Sequence, residues 1–523
     1  MSYLVDTAVA PNAASNLPEQ VELYRLDANR QLSPQTQADL GQFMTPLPVA
    51  EFMAALFRRP ITGAVRLLDP GAGVGSLTAV FVQQLLRQDP LPERIQADLF
   101  EIDPLLQAYL SQTAASCREA GAAASVEFTG RILKTDFVAY AVEKVRFAGS
   151  LFDPPLPAYT HCIMNPPYKK IRNDSQYRQK LRQAGIETSN LYAGFLALAV
   201  KLLAPGGELA AIVPRSFANG PYFQKFRQFF LQEMALKQIH LFDARDKAFQ
   251  ADGVLQENVI LYAVRGGERE RVLITSSADA SFAGMTRRDA PFAEVVRPDD
   301  PAQVIRLAVT EFEADTVTRM DALPCSLESL GIAVSTGPVV DFRARSDLRP
   351  LPAPDNYPLI YPAHLRHHAV KWPQPDGKKP NAIVESDKTR QWLFPNGWYT
   401  VVKRISAKEE KRRIVTAVHS PQAVPGDKIG FENHLNVFHR NKRGLDRNTA
   451  VGLAIYLNTT LVDCYFRVWS GHTQVNAADL RMLPYPPLTI LQKWGREAGD
   501  GFPSRQQADA LLETEIKQLS RQI

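Results

Sequence analysis

The sequence predicts a doubly wound, largely parallel α/β domain followed by a mixed, strand-rich domain of basic character. Three observations carry that expectation. Strands alternate with helices over residues 45–265. The turn after the first strand is the glycine-rich Asp69-Pro70-Gly71-Ala72-Gly73-Val74-Gly75. Past residue 330 the texture becomes short strands, prolines and aromatics interleaved with Arg and Lys.

At 523 residues the chain exceeds one ordinary core, so at least two domains are expected. The 45% apolar and 22% charged content is that of a soluble globular protein. Cys117, Cys162, Cys325 and Cys464 form no CxxC pair, which argues against a zinc or disulfide framework and fits a reducing cytoplasm. No signal segment opens the chain, and the most apolar helical run, residues 191–204, contains Lys201 and is too short for a bilayer. A cytoplasmic protein with no membrane and no metal requirement is expected. Charge is unevenly spread: residues 341–450 hold 20 Lys/Arg against 11 Asp/Glu, a local +9 within an overall +5. A basic domain joined to a mildly acidic one points to a polyanion partner.

Residues 1–40 read as a weakly patterned lead-in. Gly41-Gln42-Phe43-Met44-Thr45-Pro46 is a turn ahead of a helix with apolar residues at Val49, Phe52, Met53, Leu56 and Phe57. Val65-Arg66-Leu67-Leu68 is a strand running into the glycine turn, with a helix over residues 77–87. That turn lacks Gly-Lys-Ser/Thr and opens on Asp69, which would repel a pyrophosphate but suits a cationic amine. The second strand ends in Glu101-Ile102-Asp103, placed to bind ribose hydroxyls. A helix from residue 104 and a strand near 125–129 lead to Asp136-Phe137, a pair suited to an adenine amino group and ring.

The next strand, His161-Cys162-Ile163-Met164, is stopped by Asn165-Pro166-Pro167-Tyr168. The two prolines stiffen a loop at the carboxyl edge of the sheet, where open α/β folds bind ligands. Asn165 and the Pro166 carbonyl offer two acceptors, and Tyr168 a flat face, a combination suited to a planar group carrying NH2. Residues 169–183 read as a mobile basic loop. Asn190-Leu191-Tyr192-Ala193-Gly194-Phe195 opens an apolar helix, followed by strands at 208–213, 239–242 and 258–264 and a helix at 222–234. Phe249 lies between the last two strands without a core period, leaving a stacking role open to it.

Domain boundaries are expected as 1–40, 41–270 (catalytic), 271–325 (connector), 326–485 (recognition) and 486–523 (helical tail). In the basic domain, Arg404, Lys408, Lys411, Arg412, Arg413, Arg440, Lys442 and Arg443 are the leading phosphate contacts. Residues 470–476, with His472 and Gln474, read either as a DNA-contacting loop or as a capped turn. Glu515-Ile516-Lys517 reads as surface charge on a terminal helix.

Taken together, these motifs resemble the N6-adenine DNA methyltransferases of type II restriction–modification systems, in the gamma motif order. The resemblance covers residues 40–265 well and reaches more loosely over Val334–Phe342 and Gly471–Asn476. It implies a Rossmann-like class I methyltransferase sheet, S-adenosylmethionine as cofactor and double-stranded DNA as substrate. A separately encoded restriction endonuclease would be the partner at the same sites. Thr45 would hold the cofactor carboxylate, the Asp69–Gly75 turn with Gly71 and Gly73 its amino-acid part, and Glu101 with Ile102 its ribose and adenine edge. Asp136 would accept from its adenine amino group with Phe137 alongside, and Asn165 and Phe195 also border the cofactor. Asn165, Pro166, Pro167 and Tyr168 would form the catalytic loop, Tyr168 and Phe249 closing on the two faces of a flipped adenine. NPPY alone is shared with methyltransferases of protein glutamine and RNA, and a DNA-binding specificity module with a vestigial cofactor fold is a further alternative. Against the first stand about 250 additional basic, aromatic-rich residues; against the second, the intact acceptors and acids.

Overall fold

The computed structural model describes residues 17–33, 43–57, 63–147, 158–242, 257–406, 410–470, 474–519 and 521. The chain forms two compact units, Met1–Val309 and Thr310–Ile523.

The first unit is built on a nine-stranded sheet: β1 (Ala64–Pro70), β2 (Arg94–Phe100), β3 (Glu127–Leu133), β4 (Tyr159–Met164), β5 (Leu203–Pro214), β6 (Met234–Phe242), β7 (Asn258–Arg265), β8 (Arg271–Ser277) and β9 (Thr286–Pro291). Their spatial order is β3-β2-β1-β4-β5-β7-β6-β8-β9. β1 to β5 pair in parallel, whereas β7 runs antiparallel to both β5 and β6. The order reverses between β1 and β4, and such a switch point opens a crevice at the carboxyl ends of the strands. The central strands β4 to β7 are buried along nearly their whole length, as strands covered by helices on both sides require, whereas the edge strands β3 and β9 are largely exposed.

One face carries α1 (Leu17–Gln31), α2 (Leu47–Ala54), α3 (Ser76–Leu85) and α4 (Pro104–Ala123); the other carries α5 (Phe137–Phe147), α6 (Gln176–Gln183), α7 (Leu191–Leu202) and α8 (Gln224–Glu233). α7 is buried around nearly its whole circumference, which explains its continuous apolar sequence.

Three expectations change. Residues 17–31 are a helix of the core and no lead-in: Leu17, Val21 and Ala28, at helical spacing, are buried, and α1 packs on α3 and α4. The sheet continues through the expected connector, because β8 pairs in parallel with β6 and β9 closes the edge antiparallel to β8. Residues 176–183 are the helix α6, its first turn capped by Ser175 and its Leu181 fully buried, where a mobile loop was expected.

The second unit contains two sheets. The first runs Ala333–Thr336, Leu435–His439, Tyr399–Lys403, Thr416–His419, Ala369–Val370, Leu365–Arg366. The second runs Leu348–Arg349, Ala382–Val384, Asn356–Ile360, Lys428–Phe431, Phe394–Pro395. Helices α9 (Glu311–Asp321), α10 (Arg447–Leu457), α11 (Thr460–Trp469), α12 (Leu488–Glu497) and α13 (Arg505–Leu519) complete the unit. The helical tail is therefore part of the second unit's core. α10 and α12 meet backbone to backbone at two glycines: a Cβ on Gly452 would lie 1.9 Å from the Leu491 carbonyl oxygen, and one on Gly495 2.0 Å from that of Asn448. Glu515, read as surface charge, is 8% exposed on α13, and burial raises its carboxyl above the usual range. Among the described residues no helix is long and apolar enough to cross a membrane.

Candidate active site

A cavity opens at the carboxyl ends of β1 to β4, as the switch point requires. Its walls come from the Phe43–Thr45 segment, the turns after β1, β2 and β3, the loop after β4, and side chains of α6 and α7.

The glycine turn after β1 is held by its neighbour. Gly71 and Ala72 donate their amides to the Phe100 carbonyl at 3.0 and 2.8 Å, and Gly73 donates to Glu101 Oε2 at 2.9 Å. Gly71 has φ +83°, a left-handed conformation that favours glycine, and among the described residues a Cβ there would meet nothing within 4 Å. The backbone thus borders open space into which a ligand can approach. Gly75, at φ +90°, is required for packing: its Cβ would fall 2.8 Å from Thr113 Cγ2 on α4.

Glu101 is 6% exposed and joins two turns, its Oε1 accepting from the amides of Ile102 and Asp103 at 2.8 Å each. Burial raises its carboxyl above the usual range, and the three backbone donors oppose that shift. Ile102 extends outward, 48% exposed, on the cavity wall.

Asp69 behaves differently from the expectation of a ligand-facing acid. It is fully buried and does not line the cavity. Thr78 Oγ1 donates to its Oδ2 at 2.7 Å, and Oδ1 has no partner among the described residues. Burial pushes the carboxyl up from 3.8 to about 7. The native state therefore retains a proton that the unfolded chain has released between pH 4 and 7, and stability falls as pH rises through that window. The slope is at most about 1.4 kcal/mol per pH unit. Asp69→Asn removes it; urea unfolding at pH 5 and pH 7 is the check, and an unaltered slope in the variant contradicts the assignment.

Asp136 lines the cavity and caps α5, its Oδ1 accepting from Ala139 N at 2.7 Å while Oδ2 accepts from the Tyr177 hydroxyl at 2.8 Å. Phe137 and Phe195 meet at 5.1 Å between ring centroids on the same wall.

On the loop after β4, the Asn165 side-chain amide donates to the Phe43 carbonyl at 2.6 Å and to Thr45 Oγ1 at 3.1 Å. The Phe43 carbonyl can only accept, so it fixes the amide orientation, and Oδ1 stays an acceptor on a residue that lines the cavity. Thr45, 4% exposed, accepts this bond and keeps its own hydroxyl proton for donation. Pro166 is buried, and Pro167 lines the cavity. The Tyr168 hydroxyl donates to the Ile212 carbonyl at 3.1 Å, and its ring meets Tyr192 edge-on at 6.2 Å. Phe249 lies outside the described residues.

Sequence reading overlooked Tyr177, Lys169, Ser76 and Leu191, all on the cavity wall. Of these only Tyr177 had a legible signal, an i,i+4 pairing with Leu181 behind a Ser N-cap.

In the second unit the basic residues divide. Arg440, Lys442 and Arg443 are exposed on a two-residue turn, Arg440 and Arg443 exchanging backbone bonds at 2.9 and 2.8 Å. Lys411 is exposed as well. Arg413 is a correction. It is 1% exposed, its guanidinium 5.4 Å from the Phe466 ring centroid with Nε donating to Ser406, so it supports the core and does not reach a phosphate. Arg412 is half-buried and caps the end of α10 and the following turn, donating to the carbonyls of Asn458 and Thr459. Arg404 is half-buried and donates to the Asn433 carbonyl at 3.1 Å, and Gln474 pairs with Ile405 in a bridge. Lys408 and His472 lie outside the described residues. Among the described residues no group of three or more His, Cys, Asp or Glu side chains is placed to hold a metal ion.

A sheet of this strand order, with cavity-lining turns at the ends of its first four strands, makes the first unit a class I methyltransferase fold. Residues 158–249 match the Eco57I restriction-modification methylase family. The type II methyltransferase M.BsuBI of Bacillus subtilis is 44% identical over 478 residues, 91% of this chain and 93% of the relative. The type II methyltransferase M.PstI of Providencia stuartii is 40% identical over 510 residues, 97% and 99% of the two chains. The chain belongs to the type II DNA methyltransferases of restriction–modification systems. Among solved structures, the type IIL restriction-modification enzyme MmeI in complex with DNA aligns over 97% of this chain and 74% of its own, with a TM-score of 0.51 at 10% identity, a likeness of fold alone.

Proposed function

We propose that this methyltransferase transfers a methyl group from S-adenosylmethionine to N6 of an adenine flipped out of a short duplex recognition sequence. The observation that carries the reading is the locked amide of Asn165, whose nitrogen is committed to Phe43 and Thr45 and whose oxygen is left as an acceptor.

The cavity suits the cofactor chemically. Glu101 and Asp136 supply negative charge for a cationic ligand, Ile102, Phe137 and Phe195 supply apolar faces for a purine, and Gly71 leaves room at the backbone. Thr45 would donate to the ligand's carboxylate, Glu101 would take its ribose hydroxyls and Asp136 its adenine amine. When bound, the sulfonium supplies an electrophilic methyl. The chain's own residues position the nucleophile. The N6 lone pair of adenine is delocalised into the ring, which makes the amine a poor nucleophile. Asn165 Oδ1 accepts one of its N–H bonds, with the Pro166 carbonyl as the second acceptor, drawing nitrogen toward tetrahedral geometry and stabilising the positive charge that develops. No strong base is required, because the alkylated amine is acidic enough to lose its proton afterwards. Tyr168 would stack on the base, its ring held by the hydroxyl bond to Ile212. Extruding the base costs a few kcal/mol of stacking and pairing, and cations such as Arg440, Lys442 and Arg443 in the second unit would hold the duplex by its phosphates.

Single-molecule sequencing of DNA from a host expressing the chain tests the reading. Methyl-adenine at one short motif is the expected result, and the motif identifies the site a companion endonuclease would cut. DNA without methyl-adenine, in a host where the purified chain binds the cofactor, overturns the substrate assignment.

A further inference from the structure

The segment between the loop after β4 and α7 is a folded excursion with a closed neck. Ile171 donates to the Ser189 carbonyl at 2.9 Å and Leu191 to that of Lys169 at 2.8 Å. Within it, α6 is pinned at several points: Leu181 is fully buried over Gly194 of α7, where a Cβ would stand 2.7 Å from Leu181 Cδ1. Glu187 takes ion pairs from Arg178 and Arg182. From this anchored helix Tyr177 reaches the cavity, and its hydroxyl donates to Asp136 Oδ2 at 2.8 Å. The other carboxylate oxygen accepts from Ala139 N at 2.7 Å. Each oxygen of Asp136 is therefore held by a different element.

A carboxylate offers about four lone-pair sites, and its terminal torsion is soft. With one donor fixed on each oxygen, the plane of the group is set and its two remaining acceptor directions are fixed. A 6-aminopurine can donate to such a group. A 6-oxopurine presents an oxygen there and meets repulsion. We infer that Tyr177 is a positioning residue that orients Asp136 and thereby sets the preference of the cofactor pocket for a 6-amino- over a 6-oxopurine. This rests on the cofactor reading above and names the device that makes it selective. Leu181 and the Glu187 ion pairs also hold α6 in place, so Tyr177→Phe is expected to fold.

The test is calorimetric binding of S-adenosylhomocysteine and S-inosylhomocysteine to the full chain, with the ratio of the two affinities as readout. The wild type is expected to favour the amino compound. Tyr177→Phe narrows the ratio by about tenfold, the value of one hydrogen bond to a charged group. Asp136→Asn removes most of the preference. Leu181→Ala loosens the helix that presents the hydroxyl, so it is expected to narrow the ratio in the same direction. An unchanged ratio in Tyr177→Phe beside a collapsed one in Asp136→Asn overturns the inference alone. A wild type that binds neither compound overturns the cofactor reading itself.

Discussion

Asn165→Asp lowers the methyl-transfer rate by about 10²–10³-fold, the range for losing one preorganised group at a developing charge, while cofactor affinity falls by less than about tenfold. The reason lies on both sides of the amide. The nitrogen now sits 2.6 Å from the Phe43 carbonyl oxygen; an oxygen in its place puts two acceptors in contact, so the carboxylate must rotate away or take up a proton. Either response misplaces the oxygen that, on the proposed reading, would accept from the target amine. Thr45 loses its incoming bond and turns its hydroxyl proton toward the new carboxylate, which accounts for the modest loss in cofactor binding. Single-turnover transfer of labelled methyl groups, paired with calorimetry on S-adenosylhomocysteine, separates the two effects. Near-wild-type transfer by Asn165→Ala would falsify the catalytic assignment.

Glu101→Ala acts on the other constant. Its carboxylate gathers three backbone N–H groups, from Gly73, Ile102 and Asp103, and so ties the glycine turn to the acidic turn across the mouth of the cavity. Hydrogen bonds to a charged group contribute about 1.5–3 kcal/mol each, and removing the acceptor leaves partly buried donors exposed to repulsion from one another. Cofactor affinity is expected to fall by about 10²-fold or more, with most of the rate recovered at saturating cofactor. Glu101→Gln should lie between, because its amide can satisfy only part of the donor set. Unchanged affinity for S-adenosylhomocysteine in Glu101→Ala would remove Glu101 from the cofactor site.

Much of the first unit was legible because its signals are local. Gly71, Gly73 and Gly75 mark a turn whose left-handed conformations any other residue resists, and two prolines after Asn165 end a strand wherever they occur. Strand–helix alternation then places successive turn residues at one edge of a parallel sheet, so Glu101, Asp136 and Asn165 converge from their order alone. What escaped depended on partners far along the chain. α1 is rich in charged residues and becomes a core element only because α3 and α4 present an apolar groove to Leu17, Val21 and Ala28. Val272–Thr275 is strand-like in sequence, but β8 and β9 read as part of a connector until β6 offers an unpaired edge.

The basic domain shows the same division more sharply. Composition identifies a surplus of Lys and Arg, but an arginine in a ridge of arginines carries no mark of its direction. Arg413 turns inward onto Phe466, and Arg412 caps a helix end one residue away from exposed Lys411. Only burial distinguishes a guanidinium that supports the core from one left to meet a phosphate.

For this protein the sequence by itself determined the class of fold, the order of its cavity-lining turns and the acceptor groups that the loop at Asn165 offers, since each is a property of a few adjacent residues. Tertiary structure alone decided that Asp69 is a buried acid set back from the cavity, its carboxyl raised by burial, that the Asn165 oxygen is the atom left to accept, and that Tyr177 arrives from a separate helix to hold Asp136. Those outcomes depend on which groups meet across long sequence separations, where burial and hydrogen-bond partners, and not residue type, set charge and orientation.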